Sequence, residues 1–231
     1  YTYKLEKISA RVGGRLERTT ASIKRNGDEP YTQKPFTNLV PSITLSYKTT
    51  PGSNLQLSYT QRISRPDITY LNPFINISDP KNISQGNPEL IPEISNSFNL
   101  NYNLFTPKFN FNSSVFTSFA NNSIEQVSSL RDTVVYTTYE NIGRSRSTGV
   151  SAYFRWQVTK DFNWYFNGNS RYSYYSFIQN EMKTENKGFN YGAFLGASYT
   201  LPKNFRVNTN GGYMSPSVSL QGTSNGFYYY S

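Results

Sequence analysis

The feature that most limits what this chain can fold into is a two-residue alternation of apolar and polar side chains, held over runs too long for an ordinary strand. From Arg146 the even positions read Arg146, Thr148, Val150, Ala152, Phe154, Trp156 and Val158, and the odd ones Ser145, Ser147, Gly149, Ser151, Tyr153, Arg155 and Gln157. Strand side chains point to opposite faces with period two, so this segment carries one apolar and one polar face. Across Thr159–Asp161 the pattern resumes, with Phe162, Trp164 and Phe166 opposite Asn163, Asn167, Asn169 and Arg171. Ile43, Leu45 and Tyr47 lead through TTPGS to Leu55, Leu57 and Tyr59. Phe98, Leu100, Tyr102 and Leu104 lead through TPK to Phe109, Phe111 and Val115. Tyr191, Ala193, Leu195, Ala197 and Tyr199 lead through LPKN to Phe205, Val207 and Tyr213. Each pair reads as a hairpin closed by a tight turn.

Longer, polar connections separate the hairpins, at residues 25–37, 65–93, about 122–138 and 179–187. Short and long connections alternate strictly. In an up-and-down antiparallel sheet this puts every short turn at one rim and every long loop at the other, the anatomy of a bacterial outer-membrane barrel. Many runs reach about 10–15 residues, whereas globular strands cluster near five or six and a tilted membrane strand needs about 9–11. The fold class expected is therefore all-β: an antiparallel up-and-down transmembrane β-barrel. Its polar face, with Arg11, Arg15, Arg155, Arg171 and Arg206, suits a wet lumen. Its apolar face suits lipid, with Tyr47, Tyr59, Trp156, Phe162, Trp164 and Tyr199 near strand ends as an aromatic girdle. A soluble sandwich, such as a carbohydrate-binding module, accounts for the alternation but not for strand length or loop asymmetry.

Composition narrows the function. Only 36% of residues are hydrophobic but 16% are aromatic, too few for an ordinary packed core and too regular for disorder. The chain has no cysteine and no histidine, which removes disulfides, thiolate metal sites and the commonest general base. An enzyme is not expected, nor a cofactor, nor a metal site. The net charge of +9 is scattered, with short clusters only at Lys24–Arg25 and Arg144–Arg146, beside loops or strand ends. That excludes a nucleic-acid stripe and suits anionic lipid headgroups. No stretch approaches the roughly 18 apolar residues of a membrane helix.

The stretch QGNPELIPE, Gln85 to Glu93, crowds two prolines and a glycine just before a strand. Pro88 and Pro92 fix their own φ and push Asn87 and Ile91 toward extended backbone, while Gly86 is free to take positive φ. The result is a stiff re-entry into the strand near Ile94.

The series YTQRISRP, LNPF, SDP, QGNPELIPE and NSFNLNYN over residues 59–103 resembles the C-terminal barrel of TonB-dependent outer-membrane receptors, particularly the outer-membrane β-barrel family abundant in Bacteroidetes. The residues carrying the resemblance are Arg65, Pro66, Leu71, Asn72, Pro73, Phe74, Gly86, Asn87, Pro88, Leu90, Pro92 and Glu93, in a structural role. Ile91 departs from the family, where lysine is frequent. The resemblance implies a barrel of about 22 strands around an N-terminal plug, with energy delivered through TonB to admit a nutrient such as a siderophore, glycan or peptide. About nine strands are expected here, with a tenth beginning near Ser219. Residues 1–231 then form a single partial barrel domain, with the plug and the C-terminal closing strands absent from it.

The partners implied are outer-membrane lipid and lipopolysaccharide, the plug of the same protein, TonB and a surface lipoprotein, with no nucleic acid, and the location is the bacterial outer membrane. Tyr70, Asn72 and Phe74 at the long-loop rim and Arg155 and Arg171 in the lumen are the candidate ligand contacts. Asp79, Glu89, Glu93, Glu181 and Glu185 lack metal-loop spacing and read as solvated loop charge. Asn76, Asn82, Asn112 and Asn121 head sequons with no expected glycosylation. The competing reading is a passive barrel or surface-binding protein without a plug.

Overall fold

The structure is a computed structural model that describes residues 1–23, 31–179, 182–219 and 222–231. Lys24, Arg25 and Glu181 lie outside the described residues, as does part of the connection at 25–37. The first half of the chain comprises β1 (Thr2–Lys4), β2 (Ile8–Thr19), β3 (Ser22–Ile23), β4 (Tyr31–Thr32), β5 (Phe36–Thr50), β6 (Ser53–Ser64), the single-turn helix α1 (Ile68–Leu71), β7 (Asn76–Asp79) and β8 (Asn82–Ser84). The second comprises β9 (Glu93–Phe105), β10 (Phe109–Arg131), β11 (Val134–Gln157), β12 (Phe162–Gln179), β13 (Met182–Thr200), a 3-10 turn at Pro202–Asn204, β14 (Arg206–Met214), β15 (Val218–Ser219), β16 (Gly222–Thr223) and β17 (Phe227–Tyr230).

Among the described residues one antiparallel sheet runs β1-β2-β5-β6-β9-β10-β11-β12-β13-β14-β17, each strand beside its neighbour in sequence once the small loop strands are set aside. It is an up-and-down sheet with two free edges, β1 and β17, that do not pair with each other. With the three-residue β1 set aside, the nine long strands are followed by a tenth, β17, which starts at Phe227. Val218–Ser219, where it was expected, forms a small hairpin with Gly222–Thr223. Among the described residues no second sheet packs on the apolar face, which overturns the sandwich alternative: Val12, Leu57, Leu100, Val150 and Leu195 are all exposed.

Register explains how one apolar face survives across so many strands. Ala10 pairs with Leu45, Leu45 with Leu57, Leu57 with Leu100, Leu100 with Val115 and Val115 with Val150, a continuous cross-strand row at mid-height. Toward the short turns the row becomes aromatic, with Phe109 opposite Trp156, Trp156 opposite Trp164 and Phe162 opposite Tyr199. Toward the other rim lie Tyr59 against Phe98, ring centroids 4.8 Å apart, and Tyr172 against Phe189 at 5.0 Å. Tyr59 thus belongs to a different girdle from the other five aromatics named with it. From Thr148 to Trp156, ~3.4 Å per residue gives ~27 Å along β11, or ~21 Å along the membrane normal at a tilt of ~40°. That height fits the apolar band of a membrane barrel. A one-residue slip of any strand would turn polar side chains to lipid, so the pattern specifies the register.

The long rim departs from expectation in kind. Residues 122–138 and 179–187 were expected as loops, but β10 and β11 stay paired to Arg131 and Val134, and β12 and β13 to Gln179 and Met182. Asp132, at φ 55°, takes the tight turn of the first ribbon, a conformation that Asp tolerates. The rim asymmetry holds, built at these two places from strands that continue past the apolar band. Register shifts between Ala120 and Ser123 and between Ser123 and Ile124 mark where the β10–β11 ribbon leaves the regular wall.

The wall has no dry core. The buried apolar side chains among the described residues are Leu71, Leu90, Ala120 and Val127, all in the 65–92 loop or in β10 at and beyond the long-rim end of its pairing with β9.

Candidate functional site

Two regions carry the polar chemistry: the lumenal face of the wall and the loop folded at the long rim. On the lumenal face Arg11 pairs with Thr44, Thr44 with Ser58, Ser58 with Asn99, Asn99 with Phe116, Phe116 with Gly149 and Gly149 with Arg171. The Arg171 guanidinium lies over the Phe116 ring, 5.3 Å from its centroid. Gly149 makes room for that ring, because a Cβ there would sit 2.6 Å from Phe116 and 2.4 Å from the Ser170 carbonyl oxygen. Arg62, Thr60, Ser97 and Tyr175 line the same shallow depression. Among the described residues neither guanidinium meets a carboxylate at ion-pair distance. A hydroxyl- and amide-lined wall with two such cations favours an anionic solute or an acidic protein surface.

The rim loop begins at Arg65, whose guanidinium binds Glu17 and donates from Nε to Thr19 Oγ1 at 2.8 Å, tying β6 back to β2. Asp67 caps α1, accepting from the Thr69 N–H at 2.8 Å and from its hydroxyl at 2.7 Å, and those bonds hold its carboxyl below the usual range. Tyr70 stacks on Tyr139 of β11 with centroids 4.3 Å apart. β8 then adds to the free edge of β11, pairing parallel through Asn82–Ser84 with Val135–Thr137.

The GNPELIPE segment closes the loop. The Gly86 N–H donates to the Asn72 carbonyl at 2.9 Å and the Asn87 N–H to the Tyr70 carbonyl at 2.6 Å. Gly86 does not use the positive φ open to it. It is glycine because a Cβ would lie 2.6 Å from the Tyr70 oxygen and 2.7 Å from the Asn72 nitrogen. Asn87 accepts the Leu90 N–H at its carbonyl and the Glu89 N–H at its side chain, so residues 87–90 form a turn with proline second. Three side chains distant in sequence lock it: Gln33 donates to the carbonyls of Leu90 and Pro88 at 2.6 and 3.0 Å, Asn141 pairs with Ile91, and Asn122 donates to Pro92 while accepting from Ile94. Leu90 is only 1% exposed. Glu93 accepts the Ile124 N–H at 2.6 Å. Burial, followed by the Glu93 carboxylate, raises the carboxyl of nearby Glu125 above its ordinary value.

The five candidate ligand contacts do not form one site. Tyr70 and Asn72 spend their ring or backbone on the loop, and Asn72 Oδ1 also accepts the Phe74 N–H at 3.1 Å. Arg155 shares the lumenal face with Arg171 but lies ~20 Å along β11 from Gly149, Arg171's partner, near the short turns. Asp79 serves the local turn, accepting from the Lys81 N–H and from Asn82. Glu185 is not in a loop: it pairs with Ser176 inside β13. Arg144 and Arg146 likewise sit within β11 rather than at a loop. Arg62, Phe116, Asn122 and Asn141 escaped the sequence reading. Arg62 and Phe116 could have been found by parity with Thr60 and Ser118, but nothing local signals the two asparagines.

Residues 1–231 match the outer membrane protein beta-barrel family. The chain belongs to that family. It is accordingly a protein of the bacterial outer membrane. No curated protein matches it. Among solved structures it is similar to the copper transporter OprC, with TM-score 0.65 and 13% identity over 99% of this chain and 38% of that one. It is similar to the FrpB iron transporter from Neisseria meningitidis, F3-3 variant, with TM-score 0.62 and 14% identity over 98% of this chain and 36% of that one. It also resembles the siderophore receptor PirA from Pseudomonas aeruginosa, with TM-score 0.51 and 15% identity over 90% of this chain and 44% of that one. At these identities the likeness concerns the fold, and this chain spans 36% to 44% of the length of those proteins.

Proposed function

We propose that this wall belongs to a receptor that takes up a nutrient across the outer membrane, driven through TonB and gated by a plug in the lumen. The observation that carries the reading is the wet, cationic lumenal face of a sheet that stays open across nine long strands, β2, β5, β6 and β9 to β14. Small barrels of about eight strands fill their interior with side chains, and a membrane wall cannot leave its edges unpaired in lipid. We read the wall as part of a wider barrel, with room for a plug and a solute, and the transporters it resembles in fold support that use. Arg62 and Arg171 would contact an anionic nutrient or the plug, and the rim loop would frame the entrance. The reading involves no covalent chemistry.

The test compares cells carrying the full-length gene with a deletion strain for depletion of nutrients from the medium, with and without a protonophore. Uptake that depends on the gene and stops with the protonophore supports the proposal. Uptake that persists without energy favours a passive barrel, and no difference between the strains overturns the transport reading.

A further inference from the structure

We infer that the lipid-facing surface of β11 to β13 carries a binding site for the phosphate groups of a glycolipid in the outer leaflet. Parity places Arg144, Arg146 and Thr148 on the same side of β11 as Val150, which faces outward with the apolar row. Arg146 pairs with Tyr174 and Tyr174 with Lys187; Arg144 pairs with Ser176 and Ser176 with Glu185; Lys183 pairs with Ile178. All these side chains therefore share the outer face. Arg144, Arg146, Thr148, Tyr172, Tyr174, Ser176 and Lys183 line one open cleft there.

Height selects the ligand. Thr148 and Tyr172 form the top row of the apolar band, and Arg146 and Arg144 lie ~7 and ~14 Å further along the strand, at headgroup level beyond the hydrocarbon. Among the described residues four cations, Arg144, Arg146, Lys183 and Lys187, share this face with one carboxylate, Glu185. Glu185 is occupied, binding the Lys183 ammonium and accepting the Tyr174 hydroxyl at 2.8 Å. Among the described residues no carboxylate lies at ion-pair distance from Arg144, Arg146 or Lys187, although Glu185 is close enough to Lys187 to feel its charge. Guanidiniums grip phosphate bidentately, and the exposed Tyr172 and Phe189 rings, 5.0 Å apart just below, offer acyl chains an aromatic footing. The short-turn rim has no comparable outward group of cations among the described residues. The site faces the membrane rather than the lumen, so it stands whether or not the barrel transports a nutrient.

The test uses the full-length protein extracted in detergent, with bisphosphorylated lipid A as the probe and the same lipid stripped of both phosphates as the comparison, retention being read by native mass spectrometry. The phosphorylated form should be retained at least ~10-fold better. The R144Q/R146Q protein should lose ~30-fold in retention, since each cation near an anionic headgroup contributes a roughly fivefold preference. K160Q/K203Q, which removes the same charge from the short-turn rim, should leave retention unchanged, and E185Q should raise it. Equal retention of the two lipids by the wild type overturns the inference. So does wild-type retention by R144Q/R146Q, or displacement of the lipid by millimolar inorganic phosphate. If R144Q/R146Q does not fold, the wild-type comparison and E185Q decide.

Discussion

The carboxamide of Asn141 holds Ile91 from both sides: the Ile91 N–H donates to Oδ1 at 2.9 Å and the Ile91 carbonyl accepts from Nδ2 at 3.0 Å. One side chain on β11 thereby supplies both bonds that a neighbouring strand would give, and its Nδ2 also reaches the Asn122 carbonyl at 3.0 Å. Asn141→Ala should free the loop without unfolding the wall, because the strand ladders are untouched. Losing these bonds costs about 1–3 kcal/mol locally, so amide exchange across residues 85–92 of the full-length protein should speed by roughly 5- to 150-fold. Asn141→Asp keeps the acceptor but cannot donate to Ile91, and should fall between alanine and wild type. Unchanged exchange in the alanine variant would show that the pairing is idle.

Leu90 supplies the apolar half of the same clasp. Its side chain is sealed under the loop, so Leu90→Ala leaves a cavity and should cost about 2–5 kcal/mol of loop stability. Leu57→Ala, on a side chain that is 48% exposed, should cost much less, since lipid follows the smaller surface. Limited proteolysis of the folded protein reads the difference: cleavage within residues 65–92 should rise steeply for the first variant and stay at the wild-type rate for the second.

These relationships also show why the wall was readable in the sequence and the rim was not. Val150 and Ser151 reveal their faces within a few residues, because one meets hydrocarbon and the other water. Beyond the band neither face meets hydrocarbon, so polar strands such as Ser128 against Thr137 or Glu185 against Ser176 lose the alternation and look like loops. The GNPELIPE turn was legible from its prolines. Its anchors were not, since Gln33, Asn122 and Asn141 lie 28 to 57 residues away from the atoms of Leu90, Ile91 and Ile94 they bind, a relation no local pattern carries. Parity assigned Arg155 and Arg171 to the lumen, but residue type alone could not separate two arginines standing far apart on that face.

The carboxyl of Glu125 makes the rim sensitive to pH. Its folded value is raised, by burial first and the Glu93 carboxylate second, so the folded protein binds its proton more readily than the unfolded chain does. Its contribution is therefore most favourable at low pH and is lost as pH rises from the ordinary carboxylate range through the raised folded value. Glu125→Gln removes the charge and should slow exchange at Ile124 and its neighbours near pH 7, while near pH 4, about where an unperturbed glutamate titrates, the two proteins should converge. A variant that exchanges faster than wild type at neutral pH would show instead that the charged form is stabilised.

The two faces of the wall can be set against each other at adjacent positions on one strand. Leu100 lies in the mid-height apolar row between Leu57 and Val115, while Asn101, the next residue, pairs with Gln56 and Ser114 on the lumenal side. Leu100→Arg puts a guanidinium into hydrocarbon near the bilayer centre and should destabilise the folded protein by about 2–4 kcal/mol. Asn101→Arg puts the same group into the wet lumen, beside a wall that already carries Arg62 and Arg171, and should cost little. Denaturant unfolding of the full-length protein in lipid bilayers measures both. Equal losses at the two positions, or a larger one at Asn101, would mean that the faces are assigned the wrong way round.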